Sequence, residues 1–302
     1  MSKTMKTWLI VATSLVAVGC LLCLGALALV KFDVVKLSTV SYETNTYTIE
    51  EAYTNVSVIT NTADVRFVPS ETAQTTVVCY EQKGITHAVD VRDGTLTVAV
   101  QDTRKWYERI GVSFDSPAVT VYLPAGVYGD LCVKGNTGCV EIPQSFRFAE
   151  IAVKVSTGDV VCGASADNAM TLTTSTGAVT LSNVTCEGEV RVSVSTGRVR
   201  VLNVTCAHFT SDGNTGSLTL TNVVSRGKLT ARRSTGDVKL EQCDAAELSI
   251  TTDTGNVTGS LRSSKVFIVN TDTGRVNVPK TIVGGRCEIT TDTGHIQMTV
   301  PN

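Results

Sequence analysis

The sequence predicts an all-β fold: a single-chain parallel β-solenoid of about 20-residue repeats, preceded by one transmembrane helix. Three observations carry this. A Thr-Gly pair recurs nine times at intervals of 19 or 20 residues, apolar residues alternate on both sides of each copy, and 23 residues from Trp8 to Val30 carry no charge. Composition agrees, since aromatics are only 5% of the 302 residues, and a core of small β-branched side chains suits stacked strands. The balance of 26 basic against 28 acidic residues argues against a nucleic-acid surface, which needs a clustered Lys/Arg excess. Three scattered His residues make His-based or metal-dependent catalysis a poor expectation.

In chain order, residues 1–7 read as a short cytoplasmic N-terminus and 8–30 as the membrane helix. As a helix, 8–30 would span roughly 34 Å, enough for the hydrocarbon core with some tilt. Lys3 and Lys6 precede it and Lys31 and Lys36 follow, so the free amino terminus tips the positive-inside balance toward an N-terminus in the cytoplasm. The repeats would then lie outside, on a single-pass membrane protein. Two alternatives fit less well. A cleaved signal has a shorter apolar stretch, and the lipobox-like Ala17-Val18-Gly19-Cys20 is followed by further apolar residues where a lipoprotein would turn polar.

Residues 31–44 read as a linker, and 45–130 as an irregular β segment capping the stack. Within it, Asn61-Thr62-Ala63-Asp64-Val65 copies the repeat turn with Ala in place of Gly, and Asp93-Gly94 between alternating apolar residues reads as a hairpin. A divergent end is expected of a stack, because it must shield the first coil.

Residues 131–302 form the regular array. Its turn glycines are Gly138, Gly158, Gly177, Gly197, Gly216, Gly236, Gly255, Gly274 and Gly294. Pairs such as Ile151/Val153 and Val190/Val192 precede them at steps of two, and Val160, Val199 or Leu218 follows two residues later. Each [Ser/Asn/Asp]-Thr-Gly is a turn in which Gly takes the positive φ that a Cβ resists. One unit buries too little apolar surface to hold its shape, so neighbours must cover each other, about 4.8 Å apart in a parallel stack. An antiparallel arrangement, with each Thr-Gly at a hairpin tip, is the alternative. At the far end Pro301 would end pairing, leaving the last coil as an open edge.

These residues resemble the bacterial putative-adhesin family of β-repeat proteins, also called the toastrack domain, over about residues 45–300. The resemblance rests on Thr62-Ala63-Asp64-Val65-Arg66-Phe67-Val68-Pro69, on Val119-Thr120-Val121-Tyr122-Leu123-Pro124 and on the serial Ser-Thr-Gly-Asp-Val turns. It implies an all-β solenoid-like domain, often tethered to the membrane and linked to envelope-stress sensing or surface adhesion. It lends no catalytic residues and no cofactor.

Candidate chemistry is sparse. Asp253, Asp272 and Asp292 share one turn position in the last three copies, where stacked carboxylates would repel and a cation could help; the plainer reading is that each caps its own turn and water screens the row. Cys186 and Cys206 share a repeat phase within reach of a disulfide, or stack as free thiols, the plainer reading. The four Asn-x-Ser/Thr sequons at Asn55, Asn183, Asn203 and Asn256 are expected by chance in a Thr-rich repeat. Arg104, Lys105, Trp106 and Tyr107 form a cationic-aromatic cluster that could rest on headgroups or grip a polyanionic or sugar ligand; the plainer reading is a loop packing over the start of the stack. No P-loop, nucleophile elbow, zinc-protease or dinucleotide motif occurs.

The expectation is therefore a non-enzymatic, membrane-anchored surface module serving adhesion or envelope-stress sensing. Its partners would be membrane lipid through residues 8–30 and an envelope polymer or membrane protein. The alternatives are a scaffold self-associating through the solenoid ends and, more remotely, a carbohydrate-active β-helix enzyme.

Overall fold

The computed structural model describes residues 2–29, 31–32, 40–105 and 115–301. The apolar run is helical from Lys3 to Leu29, five residues earlier than the uncharged stretch suggested. Ser2 explains the early start: its hydroxyl accepts the Met5 amide proton at 3.3 Å, an N-cap that the flanking lysines do not disturb. The helix closes on Lys31 and Phe32 at φ of 56° and 62°, with the Phe32 amide donating to the Leu27 carbonyl at 2.8 Å, a left-handed C-terminal stop. None of its residues is buried.

Each repeat forms one coil of a parallel solenoid. In the coil at the centre of the array, Val190, Val192 and Val194 point inward from strand Glu189–Thr196, and Val199 and Val201 point inward from Val199–Cys206. The pairing is parallel and in register, Val190 beside Phe209 and Val199 beside Leu218. The antiparallel alternative is thereby excluded. Thr-Gly is a corner of the coil, not a hairpin tip: the Gly197 amide donates to the Thr215 carbonyl of the next coil at 2.9 Å. Eight of the nine repeat glycines have φ between 129° and 158°. A Cβ on Gly197 would also overlap the Gly177 carbonyl, so the coils approach too closely for any side chain there.

A threonine three residues before the glycine recurs as a strut. Thr174 donates to the Gly158 carbonyl (3.0 Å), Thr252 to Gly236 (3.2 Å), Thr291 to Gly255 (3.1 Å) and Thr271 to Gly294 (3.0 Å). A second corner falls six residues after the glycine, where Asn183, Asn203, Asn222 and Gln242 take φ of 51–58°. The asparagine side chains form a ladder there: Asn203 Nδ2 donates to Asn183 Oδ1 at 2.9 Å, and Asn222 Nδ2 to Asn203 Oδ1 at 2.7 Å. Asn tolerates the left-handed region better than most residues, and stacking satisfies its amide.

At both ends the order of layers departs from the order of sequence. The strands are β1 (Tyr42–Ile49), β2 (Asn55–Ile59), β3 (Asp64–Pro69), β4 (Thr75–Gln82), β5 (Ile85–Arg92), β6 (Thr95–Asp102), β7 (Ala118–Leu123), β8 (Val127–Thr137) and β9 (Val140–Ile142). The first coil, β2 with β3, is sandwiched in parallel between β6 and β7 on one side and β8 and β9 on the other. Part of the presumed cap is thus a true coil. Antiparallel β5 then covers β6, and β4 followed by β1 covers β7. The Asp93-Gly94 hairpin joins β5 to β6 as expected, with φ of 49° and 69°.

The C-terminal end is rearranged in the same way without a cap. Gly285–Thr293 pairs with Val238–Thr254 on one side and with Lys265–Thr273 on the other. Ile296–Thr299 lies between Val257–Leu261 and Val276–Asn277. The expectation that the final strand forms the open edge is corrected: the last repeat is inserted one layer inward, and Met298 is buried. The outer edge belongs to Lys265–Thr273 and Val276–Asn277.

Candidate functional site

The layer swap reorders the three turn aspartates. Asp292 sits between Asp253 and Asp272, since Thr291 and Thr293 pair with Thr252 and Thr254 on one side and with Thr271 and Thr273 on the other. All three side chains are exposed. Cys186 and Cys206 are buried free thiols in the same column; burial pushes the Cys206 thiol up to about 12. The sequon residues Asn183 and Asn203 are the ladder of the second corner. Of the cationic-aromatic cluster, Arg104 clasps Asp102 through Nε and Nη2, both at 3.0 Å, and Lys105 is exposed; Trp106 and Tyr107 lie outside the described residues.

Near Asp102 an open groove of about 620 Å³ is lined by Ile59, Asp102, Lys134, Asn136, Lys154 and Ser156. Lys134 and Lys154 stand in register on adjacent coils, two stacked ammonium groups on the outer face.

Among the described residues, one group of three His, Cys and Glu side chains comes together inside the cap, and the sequence reading passed over it. On β4 every second residue faces inward, which buries Cys79 and Glu81 together. The chain turns at Lys83-Gly84 and β5 returns along the opposite face, bringing His87 inward. His87 Nδ1 lies 2.7 Å from Glu81 Oε2, which also accepts the His87 backbone amide at 2.8 Å. Asn45 Nδ2 donates to Glu81 Oε1 at 2.7 Å. Burial, reinforced by the Glu81 charge, pushes the Cys79 thiol up to about 12. His87 Nε2 has no hydrogen-bond partner, alone among buried side-chain polar atoms of the described residues.

A cavity of about 30 Å³ adjoins the group and is lined by Tyr42, Asn61, Thr62, Ala63, Glu81 and His87. Ala63 occupies the glycine position of the first coil, for a Cβ on Gly138 would overlap the Ala63 carbonyl. The Cys-x-Glu alternation followed by His just past a Lys-Gly turn was the available signal, and it is a faint one.

Residues 53–210 and 188–302 match the family described as Toastrack DUF4097. The crystal structure of a putative lipid binding protein from Parabacteroides distasonis superposes with a TM-score of 0.53 at 12% identity, covering 85% of this chain and 97% of that one. A putative adhesin from Bacteroides fragilis gives 0.46 at 17% identity over 86% and 97%, and another from Parabacteroides distasonis 0.45 at 13% over 85% and 97%. The likeness to the first of these, at 12% identity, shows the fold alone. No curated protein matches the sequence.

Proposed function

Because the chain belongs to the Toastrack DUF4097 family, we propose that it is a non-enzymatic surface module: a rigid β-solenoid held at the cell membrane by its N-terminal helix and presented outside. The observation that carries this reading is the helix. Over 27 residues it buries nothing against the protein, leaving Trp8, Ile10, Leu15, Val16, Leu21 and Leu22 exposed. Such a surface is of the length and composition that lipid would cover. Inside the solenoid, the buried Cys79–Glu81–His87 group adjoins a cavity of about 30 Å³, room for a water or an ion but not for an organic substrate. That supports a binding role over catalysis. The groove carrying Lys134 and Lys154 is the face suited to an anionic envelope polymer or an acidic membrane-protein segment.

Protease treatment of intact cells tests the placement. Digestion of the solenoid without lysis is expected, with the helix remaining in a carbonate-washed membrane fraction. Protection until lysis, or release by carbonate, would overturn outside presentation or anchoring respectively. A Lys134→Glu/Lys154→Glu variant that still binds envelope fractions as wild type would remove the groove from the reading.

One specific feature favours a second reading, self-association. Strands Lys265–Thr273 and Val276–Asn277 are an uncovered edge, and Ile268, Val276, Ile282 and Val283 are exposed beside it.

A further inference from the structure

The cap contains a group that neither the solenoid's packing nor a surface role explains. One nitrogen of His87, the Cys79 sulfur and a Glu81 carboxylate oxygen lie within 4.8 Å of one another. Among the described residues no other three His, Cys, Asp or Glu residues come together in this way. From this geometry we propose that Cys79, Glu81 and His87 bind one zinc-class divalent cation, which ties β4 to β5 and so fastens the N-terminal cap.

Four observations support the assignment. The donor set is one sulfur, one imidazole nitrogen and one carboxylate oxygen, a combination that suits zinc and its neighbours and disfavours calcium or magnesium, which take all-oxygen shells. Glu81 Oε2 lies against His87 Nδ1 at 2.7 Å, so Nδ1 is the ring nitrogen placed to share a cation with that carboxylate, in place of the present hydrogen bond. Charge also balances. Ligation displaces the Cys79 thiol proton to solvent, and a dication with one thiolate, one carboxylate and a neutral imidazole leaves a neutral buried cluster. Without a cation, the one ion-pair partner of the buried Glu81 carboxylate among the described residues is His87. Finally, the adjoining cavity of about 30 Å³ accommodates a water as fourth ligand, completing a tetrahedron.

The position makes structural sense. Glu81 and His87 share the cavity with Ala63, at the junction between the parallel coils and the antiparallel cap. A cation there would link the two faces through β4 and β5. The competing explanation is a His87–Glu81 ion pair with one water on Nε2, and the two differ in what they retain.

The full-length chain in detergent micelles, equilibrated with Zn²⁺ and dialysed, is analysed for bound metal and for thermal unfolding. One zinc per chain is expected, with a Tm higher than in the chelator-treated protein. A Cys132→Ser/Cys139→Ser control should behave as wild type, whereas Cys79→Ser and His87→Gln should bind at least tenfold more weakly and lose the Tm shift. No retained zinc in wild type, or equal retention in the two variants, would overturn the site. If those variants misfold, the Co²⁺-loaded Cys132→Ser/Cys139→Ser protein decides: a thiolate-to-cobalt charge-transfer band is expected in the near ultraviolet, and its absence refutes the proposal.

Discussion

Gly294 rests on Gly255, not on Gly274, the nearer repeat in sequence. A Cβ on Gly294 would overlap the Gly255 carbonyl, and the Gly255 amide donates to the Thr293 carbonyl at 2.9 Å. The outward amide of Gly294 in turn meets Thr273 at 2.9 Å. Chain leaving the Gly255 corner therefore climbs a layer too far across Arg262–Ser264, and the last repeat returns to fill the gap. The first coil is bracketed in the same manner at the opposite end. At the C-terminal end the outer layer is therefore underlain by chain that follows it in sequence.

This order is directly testable by cross-linking. Asp253 and Asp292 are lateral neighbours about 4.8 Å apart at the Cα level, inside the window for a disulfide, whereas Asp253 and Asp272 are two layers apart and outside it. Asp253→Cys/Asp292→Cys should form an intramolecular disulfide under mild oxidation, and Asp253→Cys/Asp272→Cys should not. Peptide mapping reads the outcome, and the reverse pattern would restore stacking in sequence order.

Two small-residue positions should respond in opposite ways. Gly197 has φ of 152° and lies against the Gly177 carbonyl, so Gly197→Ala combines strain with a backbone clash and should cost about 2–4 kcal/mol. Ala63 occupies the equivalent corner over the cavity. There Ala63→Gly should cost only about 0.5–1 kcal/mol, chiefly through unfolded-chain entropy. Urea unfolding of the two variants gives the comparison.

The asparagine corner separates strain from hydrogen bonding. Asn203→Gly keeps the left-handed turn and loses two ladder bonds, for about 1–2 kcal/mol. Asn203→Ala loses the same bonds and adds the Cβ penalty of about 1–2 kcal/mol. Equal destabilisation of the two variants would show that the ladder alone matters.

The period, the inward Val and Leu columns and the membrane-length helix were legible because each is a local pattern repeated many times. Asn183 and Asn203 were visible too, but as chance sequons, because a left-handed corner has no short-range signature that separates it from any other Asn. The layer swap was invisible in principle: Asp272 and Asp292 sit in near-identical repeats, and nothing local distinguishes the order in which equivalent coils stack. Cys79, Glu81 and His87 escaped for a different reason. Their proximity depends on β4 and β5 lying on opposite faces, whereas the sequence of a hairpin-like turn at Lys83-Gly84 suggests strands side by side.

The outer coil should be the most acid-sensitive part of the stack. Lys265 Nζ lies 2.7 Å from Asp244 Oδ1 with its side chain only 5% exposed. Burial alone would raise the Asp244 pKa, but hydrogen bonds from Lys265 and Ser263 and the Lys265 charge outweigh it and hold the carboxyl below its ordinary 3.8. A lowered carboxyl pKa contributes stability that is complete above the unfolded-state value and disappears as pH falls through the folded one. Amides of Lys265–Thr273 should therefore lose hydrogen-exchange protection below about pH 4, ahead of the central coils. Asp244→Asn should reproduce the loss at neutral pH, costing about 3–5 kcal/mol by leaving a buried ammonium unpaired.

The two ends make the self-association reading decidable. Met298 is 2% exposed and pairs with Gly259 inside the stack, so Met298→Lys buries a charge and should unfold the C-terminal coils at several kcal/mol. Ile268 and Val276, at 47% and 46% exposed, lie on the uncovered strands, where a lysine blunts edge pairing. Ile268→Lys/Val276→Lys should leave stability within about 0.5 kcal/mol of wild type and abolish any concentration-dependent species seen on sizing in micelles. Wild-type chains that stay monomeric at every concentration, or oligomers that survive the edge lysines, would remove end-to-end association. The solenoid would then act as single modules through its sides, where the groove of Lys134 and Lys154 lies.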